Sequence, residues 1–301
     1  MEVSEPVPFS DGEQVRAGTL YIAATPIGNL EDITIRALRI LKQVDVVACE
    51  DTRHTRKLLE HYGIRARVIS YHEHNENARA GELIRLLRTG ASAALVSDAG
   101  TPLISDPGYR VVREAVRAGF AVVPLPGASA LLTALAGSAL PTDSFYFGGF
   151  LPAKAAQRRN ALEAVKTLPA TLVFYEAPHR IAQSLADIGQ VLGERELVVA
   201  RELTKIHEEF LRGTPAEIAQ QLDARASVRG EMTIVVGKAA ASATGDYRGL
   251  ADAVDELVAT GLPTMAAIKK VAHDRGIPKR EVYAEYRRAG RPRQISPTAS
   301  E

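Results

Sequence analysis

Short runs of consecutive apolar residues alternate with amphipathic segments between residues 18 and 140. The runs have the length and continuity of strands buried on both faces, and the segments between them repeat apolar residues at helical spacing. Strands are predicted at residues 18–24, 44–49, 68–71, 93–96 and 121–125. Asn29 and Thr52 are expected to cap the first two helices. Regular alternation with short connections predicts a doubly wound α/β sheet of parallel strands.

Residues 141–238 follow a less regular order. The main strands of this segment are predicted at 145–147, 171–175, 197–202 and 232–237. Residues 148–152 are expected to form a loop, and residues 210–212 are expected to pair back as a short strand. This order predicts a second α/β domain with a mixed sheet.

Beyond residue 247 the apolar pattern is helical throughout, and it predicts three helices. Their inward positions include Val254, Met265, Ile268, Val282 and Tyr286. The predicted organisation is a disordered tail at 1–17, an N-terminal α/β domain at 18–140, a second α/β domain at 141–238, a linker at 239–247, a small all-helical, helix-turn-helix-like domain at 248–290 and a tail at 291–301.

Charge is unevenly distributed, although the net charge of the chain is only +1. Residues 265–293 contain nine Lys or Arg residues and three Asp or Glu residues, so this segment is basic and the remainder is net acidic. A basic last helix predicts a nucleic-acid contact through Lys279, Arg280 and Arg287. A solvated basic helix end is the alternative.

Other features of composition limit the class of protein. The single cysteine, Cys49, excludes an internal disulfide, and it ends an apolar run as a core residue would. No apolar run has the roughly 18 residues that a membrane span needs. The N-terminus is polar and acidic, unlike a signal peptide. The sequence therefore predicts a cytoplasmic protein without a membrane segment.

Five loops that follow predicted strands are richer in polar, glycine and proline residues than simple turns require. They are Thr25–Asp32, Glu50–His54, Ser97–Gly108, Pro126–Ser129 and Glu176–Arg180. Loops at the carboxyl ends of strands in an open α/β sheet lie along one edge, where such sheets bind ligands. The loop Ser97–Gly108 carries two carboxylates, Asp98 and Asp106, and we expect it to lie at the centre of the site.

Several site classes lack their sequence signatures. No Gly-x-Gly-x-x-Gly follows a strand, and the chain contains no phosphate-binding Gly-Lys-Ser/Thr loop. His72 and His74 have no third partner at ligand spacing, so no metal site is predicted. No serine occupies a nucleophile elbow, and Cys49 has no evident histidine partner. The pattern favours ligand binding, orientation and proton transfer.

Seven motifs together resemble the branch of the tetrapyrrole-methylase (class III methyltransferase) superfamily that methylates small-subunit ribosomal RNA. They are Thr25–Asp32, Glu50–Arg53, Ser97–Pro102, Pro126–Ser129, Gly148–Pro152, Tyr175–Arg180 and Arg201–Lys205. The resemblance extends over about residues 18–290. It implies two α/β domains with a cofactor cleft between them, and S-adenosylmethionine-dependent 2′-O-methylation of a cytidine ribose in the decoding region of 16S rRNA. It also implies a homodimer whose substrate is 16S rRNA, and the sequence does not distinguish free rRNA from the assembled small ribosomal subunit.

The resemblance further implies which residues contact the methyl donor. Carried over to this sequence, they are Pro26, Ile27, Asp98, Ala99, Gly100, Ala128, Ser129, Tyr175, Met232 and Thr233. The chemistry of these residues agrees where it can be judged. The Asp98 carboxylate suits the amino or hydroxyl groups of the donor, and glycine and alanine allow the backbone to approach a ligand.

A ribose hydroxyl is protonated at neutral pH, so its methylation benefits from a general base. The candidate acid–base residues are Glu50, Glu176, His179, Glu202 and Lys205, and the sequence does not choose among them. We give Glu50, Lys205 and Glu176 priority as catalytic candidates. Lys205 acts either neutral or as a cation that stabilises an alkoxide.

Three arginines of the same loops, Arg53, Arg180 and Arg201, are suited to RNA phosphates. Capping of helices or mutual pairing is the structural alternative for each of these loop charges. Two other functions stay open: C-methylation of a tetrapyrrole by the same fold, and ligand sensing by a nucleic-acid-binding regulator. The basic helical segment disfavours the first, because a small macrocycle needs no such surface.

Overall fold

A computed structural model describes residues 14–239, 249–275 and 277–289. Residues 1–13 of the predicted N-terminal tail, the predicted linker beyond Ala239 and the predicted tail 291–301 lie outside the described residues. The chain divides into two compact units, 1–239 and 240–301. The boundary predicted at residues 140 and 141 falls between two sheets inside the first unit.

The first sheet contains five strands in the order β3-β2-β4-β1-β5, and all its pairings are parallel. The strands are β1 Thr19–Ala23, β2 Val46–Cys49, β3 Arg67–Ser70, β4 Ala93–Val96 and β5 Ala121–Leu125, and the helices are α1 Ile35–Gln43, α2 Thr52–His61, α3 Glu76–Arg88, α4 Tyr109–Arg117 and α5 Ala130–Gly137. Alternate strand residues point to opposite faces, so α1 and α2 pack with Tyr21 and Val47 while α3 and α4 pack with Leu20 and Val46. The prediction of a doubly wound parallel sheet is confirmed.

The second sheet has the order β6-β7-β10-β8-β9 and is mixed, as the sequence predicted. Its strands are β6 Phe145–Phe150, β7 Thr171–Glu176, β8 Leu197–Arg201, β9 Glu209–Gly213 and β10 Met232–Val236, and its helices are α6 Ala155–Val165, α7 Ile181–Leu192 and α8 Pro215–Asp223. Only the β6–β7 pairing is parallel. Helix α5 packs on this sheet through Leu131 and Leu135, and the same apolar cluster includes Ile27 from the loop that follows β1.

Three local predictions are wrong. Asn29 accepts a hydrogen bond from the amide of Glu31 in a short 3-10 turn, and Thr34 caps α1 instead. Thr52 was predicted to cap α2 but is its first helical residue. The residue before it, Asp51, is the cap, and its side chain accepts a hydrogen bond from the amide of Arg53. The predicted loop at 148–152 is strand as far as Phe150, because the β6–β7 pairing skips Gly148 and Gly149 in a register shift and resumes at Phe150 opposite Tyr175.

The second unit contains the three predicted helices, α9 Leu250–Ala259, α10 Thr264–Asp274 and α11 Lys279–Arg288. Val254, Ile268, Val282 and Tyr286 form its core. Met265 was expected to point inward but is 44% exposed, because it lies in the first turn of α10. In the part of the chain that the structure describes, no helix is long and apolar enough to cross a bilayer.

Candidate active site

A cavity of about 330 Å³ lies where loops at the carboxyl ends of β1, β4, β5 and β7 meet the start of β10. Nine residues predicted from sequence line it, namely Ile27, Asp98, Ala99, Gly100, Ser129, Tyr175, Glu176, Met232 and Thr233. They come from both sheets, so the tertiary structure joins residues separated by up to two hundred positions. Pro26 and Ala128 are adjacent to lining residues but do not line the cavity themselves.

Hydrogen bonds to backbone groups hold three of these loops together. Thr25 and Gly100 exchange two backbone hydrogen bonds of 2.9 Å, and the Thr101 hydroxyl donates to the carbonyl of Ala128 at 3.0 Å. Gly100 has a φ of +81°, and a Cβ there would lie 3.3 Å from Ile27. Glycine is required at this position because a side chain would be strained and would crowd the cavity wall.

Sequence reasoning missed part of the cavity wall. Ile104, Ser105, Phe150 and Glu231 also line the cavity, together with Asp106. The sequence predicts a central position for the loop that carries Asp106 but assigns this carboxylate no role. The prediction of a loop at 148–152 gave no indication that Phe150 lines the cavity. Glu231 precedes the last strand and belongs to no recognisable motif. Ile104, Ser105 and Asp106 all belong to the loop Ser97–Gly108, and the position of this loop at a strand end carries a signal in the sequence.

Carboxylates gather on the first-sheet side of the site. Oδ1 of Asp98 accepts a hydrogen bond of 3.0 Å from the amide of Asp51. Burial, reinforced by the charges of Glu50 and Asp98, raises the pKa of Asp106 to about 6. Burial and the charge of Asp98 also raise the pKa of Glu50. Mutual repulsion in a partly desolvated site makes this acidic group, Glu50, Asp98 and Asp106, a favourable neighbour for a cation.

Glu176 is occupied by protein partners. Its side chain is buried, accepts a hydrogen bond of 2.7 Å from the amide of Ala177, and forms an ion pair of 2.6 Å with Arg180. The hydroxyl of Ser184 donates to its second oxygen. Both oxygens are therefore engaged, an arrangement that suits positioning of the β7–α7 loop better than proton transfer.

Lys205 lies at the edge of the site and does not line the cavity. Its ammonium group is 2.8 Å from Glu202 and 3.1 Å from Glu231. Partial burial lowers the pKa of Lys205, but the hydrogen bonds to these two carboxylates outweigh that effect and raise it overall. Of the two forms that the sequence left open, the structure favours the cation. Its stem lies against Gly28, where any side chain would collide with it.

The predicted RNA-contacting arginines differ in how accessible they are. Arg53 is 84% exposed and pairs with Asp51 at the surface. Arg180 is held by Glu176, and Arg201 is held by Glu209 at 2.5 Å and by the carbonyl of Arg229 at 3.0 Å. In the second unit, Lys279, Arg280 and Arg287 are exposed on α11.

The residues of the cavity fit a cationic nucleoside such as S-adenosylmethionine. The volume is in the range of small-molecule sites, and the walls combine apolar side chains, close backbone and carboxylates. Within residues 14–239, 249–275 and 277–289, no three His, Cys, Asp or Glu side chains are placed to hold a metal ion. Fold and cavity together define an α/β protein with a ligand cleft between two sheets.

Comparison with known families agrees with this class. The model of the tetrapyrrole (corrin/porphyrin) methylases matches residues 19–219, and the chain belongs to that family. Among solved structures, diphthine synthase has a TM-score of 0.56 at 15% identity, covering 73% of this chain and 90% of its own. A uroporphyrin-III C-methyltransferase from Thermus thermophilus, complexed with S-adenosylhomocysteine, has a TM-score of 0.51 at 21% identity, covering 73% and 97%. These two structures show a shared fold.

Curated relatives identify the branch. Ribosomal RNA small subunit methyltransferase I from Halalkalibacterium halodurans is 50% identical over 89% of this chain and 94% of its own length. The proteins of the same name from Micromonospora olivasterospora and Bacillus subtilis are 49% and 44% identical, over 92% and 89% of this chain and 89% and 94% of theirs. The chain belongs to the ribosomal RNA small subunit methyltransferase I family. It is a methyltransferase, and its methyl donor is S-adenosylmethionine.

Proposed function

We propose that this protein methylates the 2′-hydroxyl of a cytidine ribose in the decoding region of 16S rRNA, within the small ribosomal subunit. The observation that carries the proposal is the convergence of Asp98–Gly100, Ser129, Tyr175 and Thr233 on one cavity of a protein from this family. The names of the relatives support the ribosomal substrate, and the resemblance supports the cytidine 2′-oxygen.

The proposed donor site uses side chains and backbone from both sheets. It comprises Ile27, Asp98, Ala99, Gly100, Ser129, Tyr175, Met232 and Thr233, with Pro26 and Ala128 supporting the loops from behind. When bound, S-adenosylmethionine supplies a methyl group on a positively charged sulfonium. The acidic group favours that positive charge, and the narrow approach at Gly100 fixes the orientation of the ligand.

The acceptor hydroxyl must lose a proton as it is methylated. We assign proton uptake to the acidic group, of which Glu50 is the exposed member and Asp106 lines the cavity. Lys205, held as a cation by Glu202 and Glu231, stabilises negative charge that develops on the acceptor oxygen. Glu176 positions the loop that carries Arg180 and takes no part in proton transfer.

RNA binding is assigned to exposed cations. Arg53 and the α11 residues Lys279, Arg280 and Arg287 contact phosphates, while Arg180 and Arg201 act mainly by holding Glu176 and Glu209. The triple variant Lys279→Glu, Arg280→Glu, Arg287→Glu is expected to weaken RNA binding and reduce its salt dependence, while donor binding stays unchanged. Unchanged RNA affinity across several salt concentrations would contradict this assignment.

We also propose that the protein works as a homodimer. The edge strand β6 exposes Phe145 and Tyr146, and an apolar edge of this kind is commonly covered by another chain. Light scattering of the purified protein is expected to give twice the monomer mass of 32.4 kDa. A monomer at micromolar concentration would contradict the proposal.

The activity is tested with small-subunit particles that lack the modification. Labelled S-adenosylmethionine is expected to place its methyl group on a ribose 2′-oxygen of a cytidine, as mapped by mass spectrometry of nuclease fragments. Transfer to a tetrapyrrole and not to RNA would replace the proposal with C-methylation. Donor binding without transfer to either acceptor would favour a ligand sensor.

A further inference from the structure

One side of the cavity is formed by exposed side chains. Phe150 is 56% exposed and Ile104 is 37% exposed, although both line the cavity. Ala200, Met232 and Thr233 line it as well but are buried. The exposed side is called the outer wall below, and it comprises Ile104, Ser105, Asp106 and Phe150. It is open to a second ligand from solvent.

Phe150 is fixed in place despite its exposure. Its ring meets that of Tyr175 edge to face, with centroids 5.5 Å apart, and Phe147 contacts the same ring at 4.9 Å. Tyr175 is anchored in turn, because its hydroxyl accepts a hydrogen bond of 3.2 Å from the amide of Leu131. An exposed aromatic ring that is supported from one side offers its face to a planar ligand.

The rest of the outer wall is equally constrained. Leu103 and Ser105 have φ values of 72° and 68°, a conformation that costs a non-glycine residue energy. A Cβ on Gly149 would lie 3.5 Å from the hydroxyl of Ser105, so the strained loop lies directly against the β6 bulge. This contact places Asp106 close to the aromatic residues.

Asp106 lines the same cavity as Phe150 and Tyr175. Burial raises the pKa of Tyr175, and the charge of Asp106 adds to that effect against the hydrogen bond from Leu131. The other groups that act on Asp106 are Glu50, Asp98 and the hydroxyl of Ser97. The outer wall therefore combines a flat apolar surface with a hydrogen-bond acceptor that takes up protons readily near neutral pH.

We propose that the outer wall is the acceptor-nucleoside site, where an unstacked nucleobase lies on Phe150 and the ribose 2′-hydroxyl hydrogen-bonds to the Asp106 carboxylate. This inference deepens the proposed function and rests on it. Stacking of a single base on an aromatic side chain is how proteins hold nucleotides taken out of a helix.

The chemistry balances with the groups at the site. The 2′-oxygen forms its bond to the methyl carbon as the carbon–sulfur bond of the donor breaks, and the sulfur keeps that electron pair as a neutral thioether. The hydroxyl proton passes to a carboxylate oxygen of Asp106. Asp106 is then a catalytic residue, and Glu50 and Asp98 keep it basic enough to accept the proton.

The test uses the full-length protein, S-adenosylhomocysteine and a short single-stranded oligoribonucleotide that carries the fluorescent base pyrrolocytosine at one position. Stacking on Phe150 is expected to change the emission of this base on binding. Phe150→Ala should abolish at least half of the change, and Phe150→Trp should restore it. Tyr109→Ala is the matched control, because Tyr109 is an aromatic residue of α4 that is 68% exposed and does not line the cavity. Calorimetry should show the same S-adenosylhomocysteine affinity in all four proteins, within about twofold.

Asp106→Asn gives an independent measurement. It should leave the emission change intact, lower single-turnover methylation at pH 8 by at least about a hundredfold, and remove the rise in rate near pH 6. A Phe150→Ala protein that binds S-adenosylhomocysteine tenfold more weakly and keeps the emission change would overturn the proposal, because Phe150 would then cover the donor. An unaltered emission in the wild type, or full activity in Asp106→Asn, would overturn it too.

A separate measurement distinguishes failure of the proposed function from failure of the nucleobase site. An oligonucleotide with 2′-deoxypyrrolocytidine should give the same emission change and accept no methyl group. If the wild type shows the emission change but methylates the base of both oligonucleotides, the nucleobase site stands and 2′-O-methylation is wrong.

Discussion

The two sides of the cavity differ in whether their carboxylates have cationic partners. The loops of the first sheet carry Glu50, Asp98 and Asp106, and none of the three has a cationic partner among the described residues. The loops of the second sheet pair their carboxylates, as in Glu176 with Arg180 and Glu202 with Lys205. The first half of the site therefore offers unpaired carboxylates to a ligand, whereas the carboxylates of the second half are already paired within the protein.

The pKa values of these unpaired and paired carboxylates follow the same division, whereas the hydrogen bond from Arg53 lowers the pKa of Asp51, at the surface of the first side, to about 2. Burial raises the pKa of Glu50 and Asp106 on the first side. On the second side, hydrogen bonds from Arg225 and Arg201 lower the pKa of Glu209 to about 2, and the hydrogen bond from Lys205 lowers that of Glu202. Unpaired carboxylates cost stability but favour a cationic ligand, whereas paired ones stabilise the loops that shape the cavity. The unpaired carboxylates of the first half supply negative charge for a ligand. The paired charges of the second half hold its loops in position and are called the frame below.

The largest expected effect is on the frame. Arg158 is 2% exposed, and it bonds Asp187 at 2.6 Å as well as the carbonyls of Pro152 and Ala153. Arg158→Ala leaves a buried carboxylate with a weaker partner and should lower the free energy of unfolding by about 3–5 kcal/mol. Urea denaturation measures this change.

Arg159 provides the control, because it bonds the same carboxylate at 3.1 Å but is 43% exposed. Arg159→Ala should cost less than about 1 kcal/mol. Equal losses in the two variants would show that burial does not decide the strength of the frame.

The next effect is on the electrostatic half. Asp98→Ala removes a carboxylate that lines the cavity and should weaken S-adenosylmethionine binding by about 2 kcal/mol, or roughly thirtyfold, with the loss measured by calorimetry. Glu202→Gln, on the paired side, should change donor affinity by less than threefold. If the two variants lose donor affinity equally, the division of roles between the halves is wrong.

Asp106→Asn should stabilise the folded protein at neutral pH. A carboxyl whose pKa is raised to about 6 binds more protons in the folded than in the unfolded state, so its cost appears as pH rises from about 4 to 6. The variant should gain about 1 kcal/mol above pH 7, a value reduced for solvent screening because the group is only half-buried, and gain nothing below pH 4. Thermal unfolding across this pH range tests the sign, and a gain confined to acid pH would contradict it.

Arg53→Ala should have the smallest effect on the fold. The side chain is exposed and its ion pair with Asp51 is at the surface, so no change in Tm is expected. RNA affinity should fall, and the slope of its logarithm against that of salt concentration should decrease by about one. A clear drop in Tm would place Arg53 with Arg180 and Arg201 in the frame.

Local sequence predicted most of the strands and helices, because the spacing of apolar residues within a short segment indicates its secondary structure. The prediction failed where two polar residues near the start of a helix could each cap it, as with Asn29 and Thr34. The path of the chain into the helix decides which of the two is the cap. The prediction also failed at Phe150, because a bulge is set by pairing with β7 and leaves no local pattern. Resemblance to a family predicted ten residues that contact the methyl donor, where the pattern alone indicated only polar loops. Eight of the ten line the cavity.

The sequence by itself determined the order of strands and helices, the parallel first sheet, the basic last helix and the family, all of which depend on short-range patterns or ordered motifs. Tertiary structure alone decided which charges are paired. It engaged both oxygens of Glu176, paired Lys205 with Glu202 and Glu231, and placed Asp106 in the same cavity as Tyr175. The physical reason is that burial and Coulomb interactions depend on distances between residues far apart in the chain, and only the folded packing of two sheets sets those distances.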